Sequence, residues 1–348
     1  MRPPMRPPMR LRVLVAGLVP AVLLTVAGCG SQATEKTKDA QGRELDKVTL
    51  TLNWYPYGEH APFYYGKKQG IFARRGIDLT IRPGQGSQKT IQATASGQTD
   101  FGWADTPALL AGVSQGLEVK SLGVFLQTTP SSVQFFDDKN IKSPADLKGK
   151  SIASTAGDAL SKTFPAFLKA NGLGPGDVTL QNTDPAGKMA AVISGKTDAL
   201  LGFATDQGPT MQEKSGKHVS YLRFADYGLS FYSNGLLTST GTVADKKDLV
   251  KRMVEATSES WAAAEKDPGA AVGAMAGASQ QLPSEKVLTE QFGATLKLLH
   301  TDATKNRPPG VNSEADWAKT IATFAQAGVI TKVEPPATYW DASFAPKG

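Results

Sequence analysis

The chain has 348 residues, with 38 basic and 32 acidic side chains, a net charge of +6, three histidines and one cysteine. Four arginines (Arg2, Arg6, Arg10, Arg12) sit in the opening segment and account for most of that charge. The remainder shows no basic run, which argues against a nucleic-acid partner. His60, His218 and His300 have no ligand spacing, so no metal is expected, and no motif calls for a cofactor. With Cys29 alone, disulfides and thiol catalysis are excluded from the body of the chain.

The arginines precede an apolar run from Val13 to Val26, a positive region followed by a hydrophobic one that is too short and interrupted for a comfortable membrane span. It ends in Val26-Ala27-Gly28-Cys29, small residues before a cysteine, which resembles a bacterial lipobox. That resemblance implies cleavage before Cys29 and acylation of its thiol; the alternative is an ordinary signal peptide with an incidental cysteine. Residues 1–28 are assigned to the signal peptide and 29–45 to a flexible polar tether. The expected location is extracytoplasmic, with lipidated Cys29 holding the protein at the membrane without a spanning helix.

From Val48 the pattern alternates between short apolar runs and helical segments. Strands are predicted at Val48–Leu52, Ile77–Ile81, Glu118–Leu126, Ser151–Ala153, Val178–Gln181, Ala199–Phe203 and Val219–Phe224. This β-α alternation argues for parallel α/β sheets. Thr106-Pro107, Ser143-Pro144 and Asp184-Pro185 each place a capping side chain before a proline at a helix start. Leu160, Phe164, Phe167 and Leu168 form an apolar helical stripe that Gly172 is placed to end. Beyond about Ala244 the strands stop. Helices are predicted over Leu249–Trp261, broken by Pro268-Gly269, then near Ser284–Leu299 and Ser313–Ala327, a tail expected to pack back on the first lobe.

One internal echo stands out. Ser96-Gly97-Gln98-Thr99-Asp100-Phe101-Gly102-Trp103 returns loosely as Ser194-Gly195-Lys196-Thr197-Asp198 leading to Phe203. Each copy ends a helix with glycine, turns through aspartate and enters a short strand that finishes in an aromatic and polar cluster. Two similar lobes would each present such a strand end, where open parallel sheets bind ligands; the alternative is that Gly-x-Thr-Asp is merely a common turn.

Leu50-Thr51-Leu52-Asn53-Trp54-Tyr55-Pro56, His60-Ala61-Pro62-Phe63-Tyr64, Gly70-Ile71-Phe72, Gly76-Ile77-Asp78-Leu79, Pro83-Gly84-Gln85-Gly86-Ser87, Gly97 to Gly102 and Ile141 to Lys150, taken in order, resemble the substrate-binding proteins of the NMT1/THI5-like group. The likeness runs from about Val48 to Val329. It implies a type II periplasmic-binding fold, two α/β lobes joined by two crossover strands, near Ser131–Phe136 and Leu229–Leu237. Lobe one is then 46–131 plus 236–348, and lobe two 132–235. It also implies a monomer that closes over a small molecule and delivers it to the permease and ATPase subunits of an ABC importer. Such proteins serve thiamine pyrimidine precursors, riboflavin, nitrate, sulfonates and taurine.

The candidate ligand contacts lie at strand ends and helix starts. Asn53 and Trp54 come directly after the first strand, and Trp54 suits stacking on a flat ring, with Tyr57 as a weaker second; the bland reading makes Trp54 an interface plug. His60, which the resemblance marks, either bonds a heteroaromatic ring or caps a helix. Gly86 and Ser87 open a helix whose first N–H groups suit an anionic or polar atom; no Walker-type Gly-Lys-Ser/Thr comes after them, so nucleotide hydrolysis is unsupported. Trp103 and Asp105 form one strand-end cluster, Asp105 either binding an amino group or, the preferred reading, capping the Pro107 helix. Ser154 and Thr155 offer hydroxyls, Phe203, Thr205 and Asp206 mirror the first cluster, and Tyr227 is a candidate second aromatic wall, with Tyr232 beside it.

The aromatics favour a flat heterocycle over nitrate, and the resemblance of the Asn53-Trp54 and His60-Ala61-Pro62-Phe63-Tyr64 start to the thiamine-precursor members implies a hydroxymethyl- or formylaminopyrimidine, with riboflavin and alkyl sulfonates behind. No arginine is placed to fork a sulfonate; Arg82 and Lys89 are the nearest cations. A pyrimidine synthase of the same group consumes its own histidine and carries a cysteine-rich motif, which this chain lacks. A sensor ectodomain or a non-binding scaffold is the third possibility.

Overall fold

The computed structural model describes residues 34–158 and 160–347; Cys29 and the leader lie outside the described residues. Strands β1 (Lys36–Lys38), β2 (Glu44–Thr51), β3 (Ile77–Arg82), β4 (Phe101–Asp105), β5 (Val119–Val124) and β11 (Asn234–Ser239) form one sheet. Strands β6 (Ser131–Phe136), β7 (Ser151–Ser154), β8 (Thr179–Asn182), β9 (Ala199–Phe203) and β10 (Val219–Arg223) form the other. The first is ordered β1-β2-β4-β11-β5 with β3 also on β2, and the second β10-β6-β9-β7-β8.

Helices α1 (Ala61–Lys68), α2 (Ile71–Arg74), α3 (Ser87–Ala95) and α4 (Thr106–Ser114) connect strands of the first sheet. In the second, α5 (Leu160–Ala170), α6 (Pro185–Ile193) and α7 (Gln207–Ser215) do the same. The tail is helical: α8 (Thr240–Asp245), α9 (Lys247–Lys266), α10 (Pro268–Gly273), α11 (Glu285–Leu296) and α12 (Glu314–Gln326).

Neither sheet is purely parallel, which corrects the expectation from the β-α pattern. β2 runs parallel to β3 and β4, and β7 parallel to β8 and β9, but β11 is antiparallel to β4 and β5, and β6 antiparallel to β9 and β10. The cause is connectivity. The chain leaves the first sheet after β5 and enters the second as β6, then returns after β10 as β11. A strand arriving from the neighbouring sheet enters at the edge where the parallel strands end, so it must run against them.

The expected tether is corrected from Lys36 onward. β1 pairs antiparallel with the start of β2, Lys36 opposite Asp46. The turn between them is held by Asp39, whose carboxylate accepts the N–H of Gln41 and of Arg43, with Gly42 at a φ of +76°. An aspartate that bonds its own backbone two residues on makes a polar stretch into a hairpin.

Both copies of the internal echo do the same mechanical work. Gly97 and Gly195 end α3 and α6 at φ of +74° and +75°, a left-handed conformation that glycine adopts without strain. The aspartate three residues on then ties its strand to the neighbouring one: Asp100 Oδ2 accepts the Thr49 N–H at 2.8 Å, and Asp198 Oδ2 accepts the Ser151 N–H at 2.9 Å. Tail helix α9 covers the first sheet with Trp261, whose ring stacks on Trp103 at a centroid distance of 5.5 Å and an interplanar angle of 20°. The last helix, α12, lies on the segment leading into β11, with Trp317 edge-on to Tyr232 and Phe324 to Phe231.

Asp198→Ala and Asp100→Ala are each expected to cost about 1–2 kcal/mol of stability in urea unfolding, since each leaves a strand N–H without its charged acceptor. Asp198→Ala should cost more, because that carboxylate also accepts from Ser151 Oγ and Lys139 Nζ.

Candidate functional site

A narrow crevice with about 30 Å³ of free room lies where the two sheets end against each other, lined by Asn53, Trp54, Tyr57, Gly86 and Ser87 from the first and Asp158, Leu160, Lys188, Gly202, Phe203, Asp206 and Gln207 from the second. A larger open mouth adjoins it, sharing Trp54, Tyr57, Asp206 and Gln207.

The first wall is built from one tightly bonded unit. Gly84 N–H donates to Trp54 O, Gly86 N–H to Asn53 O, and Thr90 Oγ1 to Leu52 O, so the glycine loop is laid on the end of β2. A Cβ on Gly84 would overlap the Leu52 carbonyl, so only glycine allows this approach. Ser87 opens α3 and its hydroxyl accepts the Asp105 N–H at 3.1 Å.

His60 is fully buried and does not line the crevice. Its Nδ1 accepts the Tyr57 N–H at 3.3 Å and its Nε2 lies 2.8 Å from Asn53 Oδ1. With Nδ1 accepting, Nε2–H donates to the amide oxygen. Burial holds the ring's pKa down at about 3, so it is a neutral imidazole that aims Asn53.

Behind Tyr57 sits Glu59, fully buried and held by three donors: Tyr57 Oη, Trp103 Nε1 at 2.6 Å and Asn234 Nδ2 at 2.6 Å. Burial raises the pKa of Glu59. Tyr57 is raised too, by burial first and then by the charges of Glu59 and Asp206.

The second wall carries the charge. Lys188 on α6 is 2 % exposed and its Nζ lies 3.2 Å from Asp158 Oδ2. The same ammonium stands 5.1 Å from the centroid of the Trp54 ring, a cation–π contact between the two walls. Asp206 is buried, with its Oδ2 bonded by Gln207 Nε2, while Gln207 Oε1 accepts the Phe203 N–H at 3.0 Å. Burial lifts the Asp206 pKa to about 7, with Lys188 opposing and Glu59 adding to the rise. Among the described residues no group of His, Cys, Asp and Glu side chains is placed to hold a metal ion.

The walls touch. Gly86 and Gly157, at φ of +121° and +80°, approach so closely that a Cβ on Gly86 would lie 2.9 Å from Gly157 O, and Gln88 N–H points at that same carbonyl at 3.4 Å. The structure is therefore a closed form of the crevice.

Of the sequence candidates, Asn53, Trp54, Tyr57, Gly86, Ser87, Phe203 and Asp206 come together on this lining. Trp103 does not: its ring is buried among Phe63, Phe125 and Trp261. Asp105 neither lines the crevice nor caps α4 by its side chain, correcting the capping expectation. Its Oδ1 accepts the Ser233 hydroxyl at 2.7 Å, while Thr106 Oγ1 donates to Ser233 O, so both residues anchor the return crossover. Ser154, Thr155 and Thr205 are buried at strand ends outside the lining, and Tyr227 packs edge-on against Phe167 at the far side of the second sheet. Tyr232 bonds Asp316 and the Ser313 N–H.

Lys188, Asp158, Leu160 and Gln207 line the crevice without having been candidates from sequence. Arg82 and Lys89, the cations nearest in sequence, are exposed and outside the lining. One signal pointed to Lys188: it is the lone charge in Pro-Ala-Gly-Lys-Met-Ala-Ala-Val-Ile, near a helix start where the dipole disfavours a cation.

Gly86→Ala is expected to weaken ligand binding by at least about tenfold, because the added methyl strains a residue at a φ of +121° and meets the Gly157 carbonyl on closure; calorimetry checks the binding, and thermal melts read the strain. Asp105 and Asp206 both sit near pKa 7 in the fold, raised chiefly by burial. Such groups hold protons that the unfolded chain has released. Their contribution is therefore full below about pH 4 and is lost as pH rises towards about 7. Thermal melts across that window should show a falling contribution that Asp206→Asn flattens.

The NMT1/THI5 like family model matches residues 58–271. A formylaminopyrimidine-binding protein of Halalkalibacterium halodurans is 26% identical over 221 residues, 63% of this chain and 66% of that one, so the match spans just under two thirds of the relative. A riboflavin-binding protein, RibY, of Chloroflexus aurantiacus is 27% identical over 72% of this chain and 73% of its own. Among solved structures, the alkanesulfonate-binding protein SsuA of Xanthomonas axonopodis pv. citri, bound to MOPS, superposes with a TM-score of 0.66 at 18% identity, over 84% of this chain and 98% of that one. That likeness gives the fold, two lobes of the periplasmic-binding type, and the ordered motifs from Asn53 to Lys150 agree with it. With more than half its length matched, this chain belongs to the NMT1/THI5-like family.

Proposed function

We propose that the chain is an extracytoplasmic solute-binding protein of an ABC importer, and that it closes over a flat amino-substituted heterocycle, a thiamine pyrimidine precursor. The observation that carries this reading is the lining itself. One indole face, that of Trp54, opposes buried carboxyl groups, and the single ammonium among them is already paired.

Charge decides between ligand classes. A sulfonate or nitrate would have only the N–H groups at the start of α3 to offset its charge, because Lys188 is committed to Asp158 and to the Trp54 ring and Asp206 adds a second acid. An aminopyrimidine brings what this wall lacks: N–H donors for Asp206 and Asn53, and a ring to lie along Trp54. The relative that binds formylaminopyrimidine supports the same class.

The synthase reading is disfavoured by His60. A histidine that is to be consumed has to reach a reaction centre, whereas this one is buried with both ring nitrogens bonded. Among the described residues no helix is long and apolar enough to cross a membrane. Attachment to the membrane is assigned to acylated Cys29 on the lipobox-like run Val26-Ala27-Gly28-Cys29, and permease and ATPase subunits to the receiving end, with the protein acting as a monomer.

Titration calorimetry with hydroxymethyl- and formylaminopyrimidine, riboflavin, taurine and nitrate tests the ligand. A pyrimidine should bind, and Trp54→Ala should weaken it by about 1–2 kcal/mol, roughly tenfold, from lost stacking and lost cation–π contact. Binding of taurine or nitrate in place of the pyrimidines would refute the assignment.

A further inference from the structure

Every lining residue comes from the segments before β11, yet the closed crevice is also held from the tail. Gln291, on α11, is completely buried. Its Oε1 accepts the Gly58 N–H at 2.9 Å, between Tyr57 and Glu59 of the first wall. Its Nε2 donates to Asp206 O at 2.8 Å and lies 3.3 Å from Thr210 Oγ1, both on the second wall. One amide thus satisfies a backbone donor of one wall and a backbone acceptor of the other.

The placement is tightly set. α11 packs into the first sheet's core through Leu288 and Phe292, and a Cβ on Gly58 would sit 2.5 Å from Gln291 Cβ and 2.6 Å from Leu288 O. Thr210 and Glu213 fall at helical spacing along α7, with Asp206 just before its first residue, and face α11, where Ser284 Oγ bonds Glu213 at the exposed end of the seam. Gln291 is the buried middle of that seam, and Ser284 its rim.

We infer that Gln291 is a positioning residue for ligand capture: it belongs to the first lobe, stays out of the crevice, and on closure fixes Asp206 relative to Tyr57 so that the two walls hold the ligand together. This rests on reading the crevice as the ligand site. In an open form the Gly58 bond, which lies within the first lobe, would persist, while water would satisfy the amide N–H and Asp206 O separately, so the bond to Asp206 favours the closed form without being needed for folding. A latch of this kind slows escape of the ligand and leaves its entry alone.

Two variants of the full chain test it. Gln291→Glu keeps an acceptor for Gly58 but loses the donor and faces Asp206 with a second acid; Gln291→Met keeps the shape and removes both bonds. Stopped-flow Trp fluorescence with formylaminopyrimidine as the probe should show dissociation faster by about tenfold, with the association rate unchanged. Hydrogen exchange of the ligand-free protein gives a second readout that no ligand assignment affects. The 86–90 segment, which meets Gly157 at the other end of the crevice, should exchange faster in both variants, while β4 exchanges as in the parent.

Exchange at 86–90 equal to the parent in Gln291→Met overturns the latch, and so does an effect that appears equally in β4 of that variant. If the exchange result holds but the parent protein binds no pyrimidine, the latch stands and the ligand assignment fails.

Discussion

Two strands that change sheets set the terms for everything else. β6 and β11 carry the chain from one sheet to the other and back, and each enters its new sheet against the direction of its neighbours. Given that constraint, the parallel strands of both sheets end at the same gap. The residues just beyond each strand end form the walls: Asn53 and Trp54 after β2, the glycine loop after β3, Asp158 beyond β7, Asp206 after β9. The hinge is made of the same material. Ser233 and Asn234, where the chain returns, are held by Asp105 and by Glu59, and Glu59 in turn holds Tyr57 on the lining. Crevice wall and return crossover are two shells of one hydrogen-bond network.

That network is rich in acids. Glu59, Asp105 and Asp206 are all buried, and burial raises the pKa of each. Where carboxyl groups are hard to ionise, another anion is unwelcome and hydrogen-bond donors are favoured. Lys188 does not reverse this, because it is neutralised on its own wall by Asp158 and engaged across the gap by the Trp54 ring. Its contact with Trp54 exists only when the walls are together, so one ammonium ties the charge of the second wall to the approach of the first.

Local signals carry far in this sequence. The glycine and aspartate of each echo, the capping serine of α12 and the strand ends of both walls are set by neighbours a few residues away, and all are legible there. Trp103 reads as a ligand contact because the partner that claims its ring, Trp261, lies more than a hundred residues further on and arrives through the tail. Asp105 looks like a cap because Pro107 is two residues on, but Ser233 takes its carboxylate from across the return crossover in place of the helix N–H groups. Lys188 is the mirror case. Its apolar neighbours on α6 mark it as an odd charge, but its partners are not beside it in sequence, since Asp158 and Trp54 meet it only when the fold and the crevice have both closed.

The stretch from Asn53 to His60 shows how a ring outside the crevice shapes its wall. His60 is neutral and buried, and donates its Nε2–H to Asn53 Oδ1, fixing that side chain at the end of β2. Asn53 in turn accepts the Gly86 N–H on its backbone oxygen, which seats the glycine loop. That loop is where the first wall meets Gly157 of the second. A chain of three short contacts therefore runs from the imidazole to the closing surface, and each link needs its own residue type: a neutral ring with one N–H, an amide, and a glycine that tolerates a φ of +121°. A charged imidazole would have no acceptor left for the Tyr57 N–H, and the turn carrying Glu59 would lose its hold. The burial that keeps His60 neutral thus keeps both Asn53 and the Tyr57 turn in place, which is why a histidine outside the crevice belongs to the same motif as the tryptophan that lines it.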